Sequence, residues 1–383
     1  MDELSADKLY HRVNLSDLDF KTTKDIEPLV GTIGQDRAIH AIDFGLRVKT
    51  KGFNLYIAGP TGTGKHSTIE AFVKKAAMEK KAPSDWCYAY NFNEPDKPLA
   101  IELPAGAGSM LAHDMEELID DCLVEIPRAF ESEEYEKRKK QIINEFKSKR
   151  DLILNDLRQK AAKFGFSVEI TAAGIFTFPI IDGKALRQDK FNDLAERQKR
   201  EIKEKKDKLQ DKISRLLSEI RNIEKAARDN IGELEQEISL FAIGHLLGLL
   251  IEKYKNIPKV TSYLTGVERD IVDHIEVFKD HEKKNTDIIP GLETGAKTRD
   301  LDRYKINLFI NNDDTDSAPV VFETNPTYYN IFGRLEYKAR LGAMSTDFTM
   351  IKSGAIHRAN GGYLVLNAID LLKALFSWEA LKR

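Results

Sequence analysis

Gly59-Pro60-Thr61-Gly62-Thr63-Gly64-Lys65 follows directly on the apolar run Phe53-Asn54-Leu55-Tyr56-Ile57-Ala58. This order reads as strand, phosphate loop and helix. Glycines let the backbone curl so that successive N–H groups face phosphate oxygens. The helix N-terminus adds partial positive charge, and Lys65 adds a full one. The usual pattern continues with Ser or Thr, whose hydroxyl holds Mg²⁺, but here His66 follows. Imidazole is a poor ligand for a hard cation that prefers oxygen. Ser67 and Thr68 carry hydroxyls, yet one helical step turns a side chain by about 100°, so neither replaces the missing one. Gly59 to Ser67 therefore read as a cradle suited to holding a nucleotide and poorly equipped to hydrolyse it.

The 383 residues leave room for two or three domains and a sizeable core. Cys87 and Cys122, the two cysteines, make neither a disulfide framework nor a metal set. His40, His113, His245, His274, His281 and His357 have no spacing that demands a metal, and no metal site is expected. With 59 basic and 62 acidic residues the net charge is -3, which argues against a nucleic acid or membrane partner. Met1 is followed by Asp-Glu-Leu-Ser with no basic or apolar leader, so a cytoplasmic location is expected. The most apolar run, Ile238 to Ile251, is short for a bilayer span and contains His245 and two glycines. It reads as a buried helix.

Residues 1–28 are polar with scattered apolar positions and form an N-terminal arm. Ile33-Gly34-Gln35 opens an amphipathic helix through Ala38, Ile39, Ile42 and Leu46, and Ile69, Phe72, Val73 and Ala76 line the helix that Lys65 begins. Strand-like runs follow at Trp86–Phe92 and Pro98–Leu103. Residues 29–112 therefore read as the first part of a three-layer α/β core. Residues 113–290 change character: charged residues rise, and Gly and Pro become rare. Ile142, Phe146, Ile153, Leu157 and Phe164 recur at helical spacing, and Leu209, Ile213, Leu216, Ile220, Ile223 and Ala227 alternate steps of four and three, the seam of a coiled coil. Between these arms, Phe166–Thr171, a turn at Ala172-Ala173-Gly174, and Ile175–Ile181 predict a β-hairpin tip closed by Asp182-Gly183. So small a hairpin buries only one face, which leaves Phe176 and Phe178 as candidate substrate contacts. Leu240–Tyr254 and Val260–Phe278 read as separate helices at the base. In 291–383 strands resume at Tyr304–Ile310, Val320–Glu323 and Gly361–Leu366, giving the second part of the α/β core.

A phosphate-loop enzyme needs a second strand ending in acidic residues that orient Mg²⁺ and polarise water. Tyr363-Leu364-Val365-Leu366 is followed by Asn367-Ala368-Ile369-Asp370. Asn367 brings no negative charge, Ala368 does no acid/base chemistry, and Asp370 reaches the same face only if the strand continues.

Taken together, Ile33-Gly34-Gln35, the loop Gly59–Lys65, Phe332-Gly333-Arg334-Leu335-Glu336-Tyr337 and the block from Asp347 to Leu366 resemble the ATPase region of Lon-like proteases, a branch of the AAA+ ATPases. The resemblance is greatest to the subgroup whose ATPase module is interrupted by a long coiled coil. It implies a P-loop AAA+ core split by that insertion, ATP or ADP as ligand, a hexameric ring, and unfolded protein or peptide substrates passed to a serine protease domain with a Ser-Lys dyad. It maps Gly59–Ser67 to the Walker A loop and Asn367, Ala368 and Asp370 to a degenerate Walker B motif. The lid and protease domain are expected beyond Arg383, so no catalytic residue is assigned in this chain. The departures at His66, Asn367 and Ala368 argue against efficient ATP hydrolysis and leave the Mg²⁺ site undefined. Two other classes fit the layout less well. A chromosome-maintenance ATPase that clamps DNA would carry a Leu-Ser-Gly-Gly signature and a basic stripe, and a non-enzymatic scaffold would keep the nucleotide site as a relic.

Overall fold

The computed structural model describes residues 5–10, 13–27, 34–50, 52–171, 174–181, 184–186, 195–279, 301–340 and 343–383. The chain forms two compact units. One comprises Met1–Pro83, Asp314–Arg334 and Ser353–Arg383, and the other Ser84–Asp313 and Leu335–Lys352. In chain order the elements are α1 (Asp36–Arg47), α2 (Lys65–Met78), β1 (Asp85–Ala89), β2 (Leu99–Leu103), α3 (Ala107–Phe130), α4 (Glu133–Lys163), β3 (Phe166–Thr171), β4 (Gly174–Ile181) and β5 (Lys184–Ala185). They continue with α5 (Glu196–Lys253), α6 (Pro258–Asp273), α7 (Glu276–Lys279), β6 (Asn307–Ile310), β7 (Val320–Glu323), α8 (Tyr328–Phe332), β8 (Arg334–Leu335), β9 (Lys338–Arg340) and β10 (Ala343–Ser345). The last are β11 (Ile351–Lys352), α9 (Ala355–Arg358), β12 (Tyr363–Leu366), α10 (Ala368–Lys373) and α11 (Ser377–Leu381).

In the first unit β12 pairs in parallel with β7, Tyr363 opposite Val320 through Leu366 opposite Glu323. Helix α2 buries Val73 and Ala77 and packs on β7. The run Phe53–Ala58, expected as a strand, is not one. It has no ladder partner among the described residues, and Phe53 and Tyr56 are exposed. An apolar run becomes a strand only when a neighbour takes up its N–H and C=O groups. Here Leu55 instead lies against α1, where a Cβ on Gly45 would come within 2.1 Å of it.

The second unit holds the larger core. Strands β2, β1 and β6 form an antiparallel sheet in that order. The sequence reading placed β1 and β2 beside the phosphate loop, with boundaries at 112/113 and 290/291, but the compact units divide at Pro83/Ser84 and Asp313/Asp314. Alternation of apolar residues predicts a strand without naming its partner. Leu111, Met115, Cys122 and Ile126 of α3 pack with Ile243 and Leu247 of α5 and with Val260, Leu264 and Val267 of α6. Asp85, fully buried, accepts from the backbone N–H of Gly108 at 2.9 Å and of Asn312 at 2.8 Å. Only glycine fits at 108, since a Cβ would sit 3.0 Å from Asp85 Oδ2 and 2.7 Å from Leu308.

Helices α4 and α5 run together, fastened at both ends. Near the base, Tyr135 donates to Glu235 at 2.9 Å and Arg138 grips both oxygens of Glu237 at 2.8 and 2.6 Å. Toward the tip, Ala161, Phe166 and Leu209 are buried together, with Phe164, Val168, Ile202 and Ile213 around them. The seam residues Leu216, Ile220, Ile223 and Ala227 are half-buried, as expected when only two helices share them. Between the arms the tip is three-stranded, in the order β3-β4-β5. The turns expected at 172–173 and at 182–183 lie outside the described residues. Helix α5 is continuous for 58 residues, so Leu240–Tyr254 is not the separate helix expected. Among the described residues α5 is long and apolar enough to cross a membrane, and its Ile238, Ala242, Ile243 and Leu247 are buried in the unit.

Replacing Asp85 by Ala leaves two buried N–H groups unpaired. It should cost roughly 2–3 kcal/mol in a urea titration, with Asp85→Asn costing less because one acceptor oxygen remains.

Candidate functional site

The phosphate loop bends through two glycines in left-handed backbone, Gly62 with φ +83° and Gly64 with φ +72°, a region that other residues avoid. Around both the space where a Cβ would stand is open. Thr63 Oγ1 donates to the Pro60 carbonyl at 2.9 Å and braces the turn. Gly64 is the N-cap of α2 and brings no side chain to cap the first turn, so that turn offers N–H groups to an anion. Lys65 Nζ folds back onto the carbonyls of Gly59, at 2.7 Å, and Pro60, at 2.5 Å. Those carbonyls hold the ammonium at the mouth of the loop, where phosphate oxygens can replace them. The geometry therefore fits a nucleotide's phosphates.

The metal side does not fit in the usual way. The His66 ring packs on Phe322 of β7, with centroids 5.3 Å apart and planes at 58°. β12 stops at Leu366, and Asn367 turns the chain into α10 as its N-cap, its side-chain oxygen accepting from the Ile369 N–H at 3.0 Å. Ala368 and Asp370 then lie in the first turn of α10 with Asp370 exposed, so Asp370 is a helix residue and shares no strand face with Ala368. Among the described residues no cluster of three or more His, Cys, Asp or Glu could hold a metal ion.

Glu323, which sequence reasoning did not single out, ends β7. One of its oxygens accepts from the Asn325 N–H at 2.9 Å, and the other lies 3.4 Å from Arg358. The signal was present: an apolar strand, Val320-Val321-Phe322, ending in an acid. Nearby, Gly354 donates its N–H to His357 Nδ1 at 3.2 Å, and burial holds the His357 pKa below its ordinary value. Cys87 and Cys122 offer no nucleophile. Burial pushes both thiols up to about 12, which keeps them protonated at neutral pH.

At the tip, β3 and β4 pair antiparallel with Glu169 opposite Phe176 and Ser167 opposite Phe178. Cross-strand partners share a face, so Phe176, Phe178 and Ile180 stand with Ser167 and Glu169, away from the face on which Phe166 and Val168 meet the helices. Phe176 is 46% and Ile180 38% exposed, and Phe178 is half-buried.

Comparison with known families identifies two parts of this architecture. Residues 316–383 match the LonB-like AAA domain, and residues 85–118 match the Lon-like LonC helical domain. Both matches are to Lon-like families, and together they support a Lon-like protein with an AAA region. An AAA domain has an α/β fold and binds nucleotide, generally with Mg²⁺. The two matches begin close to the boundaries between the compact units. The AAA match contains Glu323, Arg358 and Asn367, and the phosphate loop lies outside it. No individual curated protein matches the chain.

If Asn367 serves as a cap, Asn367→Ala should lower stability by about 1 kcal/mol in a thermal melt, and Asn367→Asp, an equally good cap, should leave it unchanged.

Proposed function

We propose that this chain is the nucleotide-binding and substrate-handling region of a Lon-like serine protease, binding ATP or ADP and hydrolysing it slowly or not at all. One observation carries the reading. Within a single unit, a phosphate loop whose lysine heads α2 accompanies an AAA strand that ends in a helix cap instead of acidic residues. Gly59–Lys65 would hold the phosphates, with Lys65 exchanging the Gly59 and Pro60 carbonyls for phosphate oxygens. Bound Mg²⁺ would supply charge neutralisation at the phosphates. His66 is committed to Phe322 and Asn367 to capping α10, so neither is available to orient a metal or polarise an attacking water.

In this reading α4, α5 and the β tip are a coiled-coil insertion into the AAA+ core, and the tip contacts unfolded protein through Phe176 and Phe178. The whole works as a cytoplasmic hexamer that passes polypeptide to a protease domain with a Ser-Lys dyad, with no part for nucleic acid or membrane. The support for the tip is physical: Phe176 and Ile180 of β4 are exposed, and an exposed apolar patch of this kind is more often a contact site than an accident.

Phosphate release from ATP should stay below about 1 s⁻¹, the low end for enzymes, and His66→Thr with Asn367→Asp and Ala368→Glu should raise it. Lys65→Ala should weaken nucleotide binding by roughly 1.5–3 kcal/mol in a fluorescence titration, the worth of one charge-assisted contact. Phe176→Ser with Phe178→Ser should cost about 1 kcal/mol or less of stability yet reduce capture of unfolded casein. A large fall in melting temperature with capture intact would mean a packed tip.

A further inference from the structure

Glycine inside a helix costs stability relative to alanine, and it earns its place where something must come close to the backbone. Three helices of this protein follow that rule. A Cβ on Gly45 of α1, Gly108 of α3 or Gly266 of α6 would stand 2.1, 2.7 and 2.9 Å from Leu55, Leu308 and Phe92 respectively. Gly244 and Gly248 of α5 depart from it. They lie one turn apart on the same side of the helix. Apart from the helix's own backbone, no atom of the described residues comes within 4 Å of where their Cβ atoms would be. Gly232 is open as well, but its neighbours one turn away, Asp229 and Gln236, are polar. Around Gly244 and Gly248 the surface is apolar: Phe241 is 84%, Leu249 71% and Leu240 45% exposed. Only 33% of the apolar 18-residue stretch of α5 is buried.

This face complements itself. Two copies laid antiparallel about a twofold axis between Gly244 and His245 set Phe241 of each against Gly248 of the other, and Leu240 against Leu249, because the members of each pair are equally far from the axis. A parallel pair would put Phe241 on Phe241 and leave the glycine hollows facing each other. A closed twofold contact requires such self-complementarity. The ends of the face are polar, as the rim of an interface is. Glu237 and Glu252 meet there, each already paired within its own chain, to Arg138 and to Lys255. A specific interface needs about 1,200 Å² in total, roughly 600 Å² per copy. Phe241 at 84% exposure brings about 130–210 Å² of that, and Leu240, His245, Leu249 and the two rims supply the rest, which puts the pair at the small, weak end of specific interfaces. Independently of the nucleotide reading, we infer that the outer face of α5 is a docking surface for α5 of a second copy of this chain, antiparallel, with Phe241 seated over Gly248.

Sedimentation equilibrium of the whole chain, from micromolar to submillimolar concentration, should show a monomer passing to a dimer. Gly244→Gln with Gly248→Gln fills the hollows and should raise the dissociation constant at least about tenfold. At a concentration where the wild type is monomeric, the same variant should melt at or above the wild-type temperature, since Gln is the better helix former. A wild type that stays monomeric throughout, or an assembly that the two replacements leave unweakened, overturns the assignment. So does a variant that melts far below the wild type, because the glycines would then serve the chain's own fold. Cross-linking reads the register separately. Phe241→Cys and Gly248→Cys chains, mixed and mildly oxidised, should form a disulfide-linked dimer, and neither should do so alone, since identical positions are then about 10 Å apart along the helix axes. Cys87 and Cys122 are buried and take no part. Dimers linked in either chain alone and not favoured by mixing overturn the assignment. A monomer that floats with vesicles of phosphatidylcholine and phosphatidylglycerol, and no longer floats after Phe241→Ser, also overturns it and makes the face a membrane contact.

Discussion

A single buried carboxyl group closes the root of the larger unit. Asp85, the second residue of that unit, accepts from Gly108 at the start of α3 and from Asn312, 227 positions along the chain. Asn312 answers by donating to the Ser84 carbonyl at 3.2 Å. The points where the chain enters and leaves the main part of this unit are thus fastened to one side chain. Closing a loop costs entropy that grows only slowly with its length, so a very long excursion is tolerable once its two ends are held. Everything between, from the α3 core to the β tip, is built on that closure.

The nucleotide site has a different character. Its phosphate side is complete in backbone geometry, and its metal side has been given other work. His66 contributes packing against Phe322, and Asn367 contributes a helix cap. Both residues stabilise the unit locally, by aromatic contact and by satisfying an N–H that would otherwise be orphaned. Both side chains thus help to keep the fold around the loop.

Much of this was legible in the sequence, and the misses share a cause. Local patterns located α2, the β tip, the seam of α5 and the strands β6, β7 and β12, because periodicity and turn residues act over a few positions. Pairing is not local. Trp86–Phe92 and Pro98–Leu103 read as strands of the phosphate-loop core, but β1 and β2 belong to an antiparallel sheet with β6, some 200 residues further along the chain. Phe53–Ala58 had the composition of a strand and no partner to make it one. Leu240–Tyr254 read as a helix of its own, whereas α5 runs through it unbroken, its Ile243 and Leu247 packing with α3 and α6. Attention to the residues after β12 passed over Glu323, an acid at the end of the paired strand β7.

The two-part composition of the smaller unit bears on how the protein is made. Its phosphate-loop half ends at Pro83, and β7, on which α2 packs, comes only after Asp313, with β12 later still. About 230 residues must be translated in between, which at roughly 5–20 residues per second takes on the order of 10–50 s. Throughout that interval α2 can pack only on α1, and the side of it that meets β7 is uncovered. The larger unit, by contrast, can complete its core of α3, α5 and α6 before the second half of the smaller one exists. The core of the larger unit can therefore form while the smaller unit still lacks its second half.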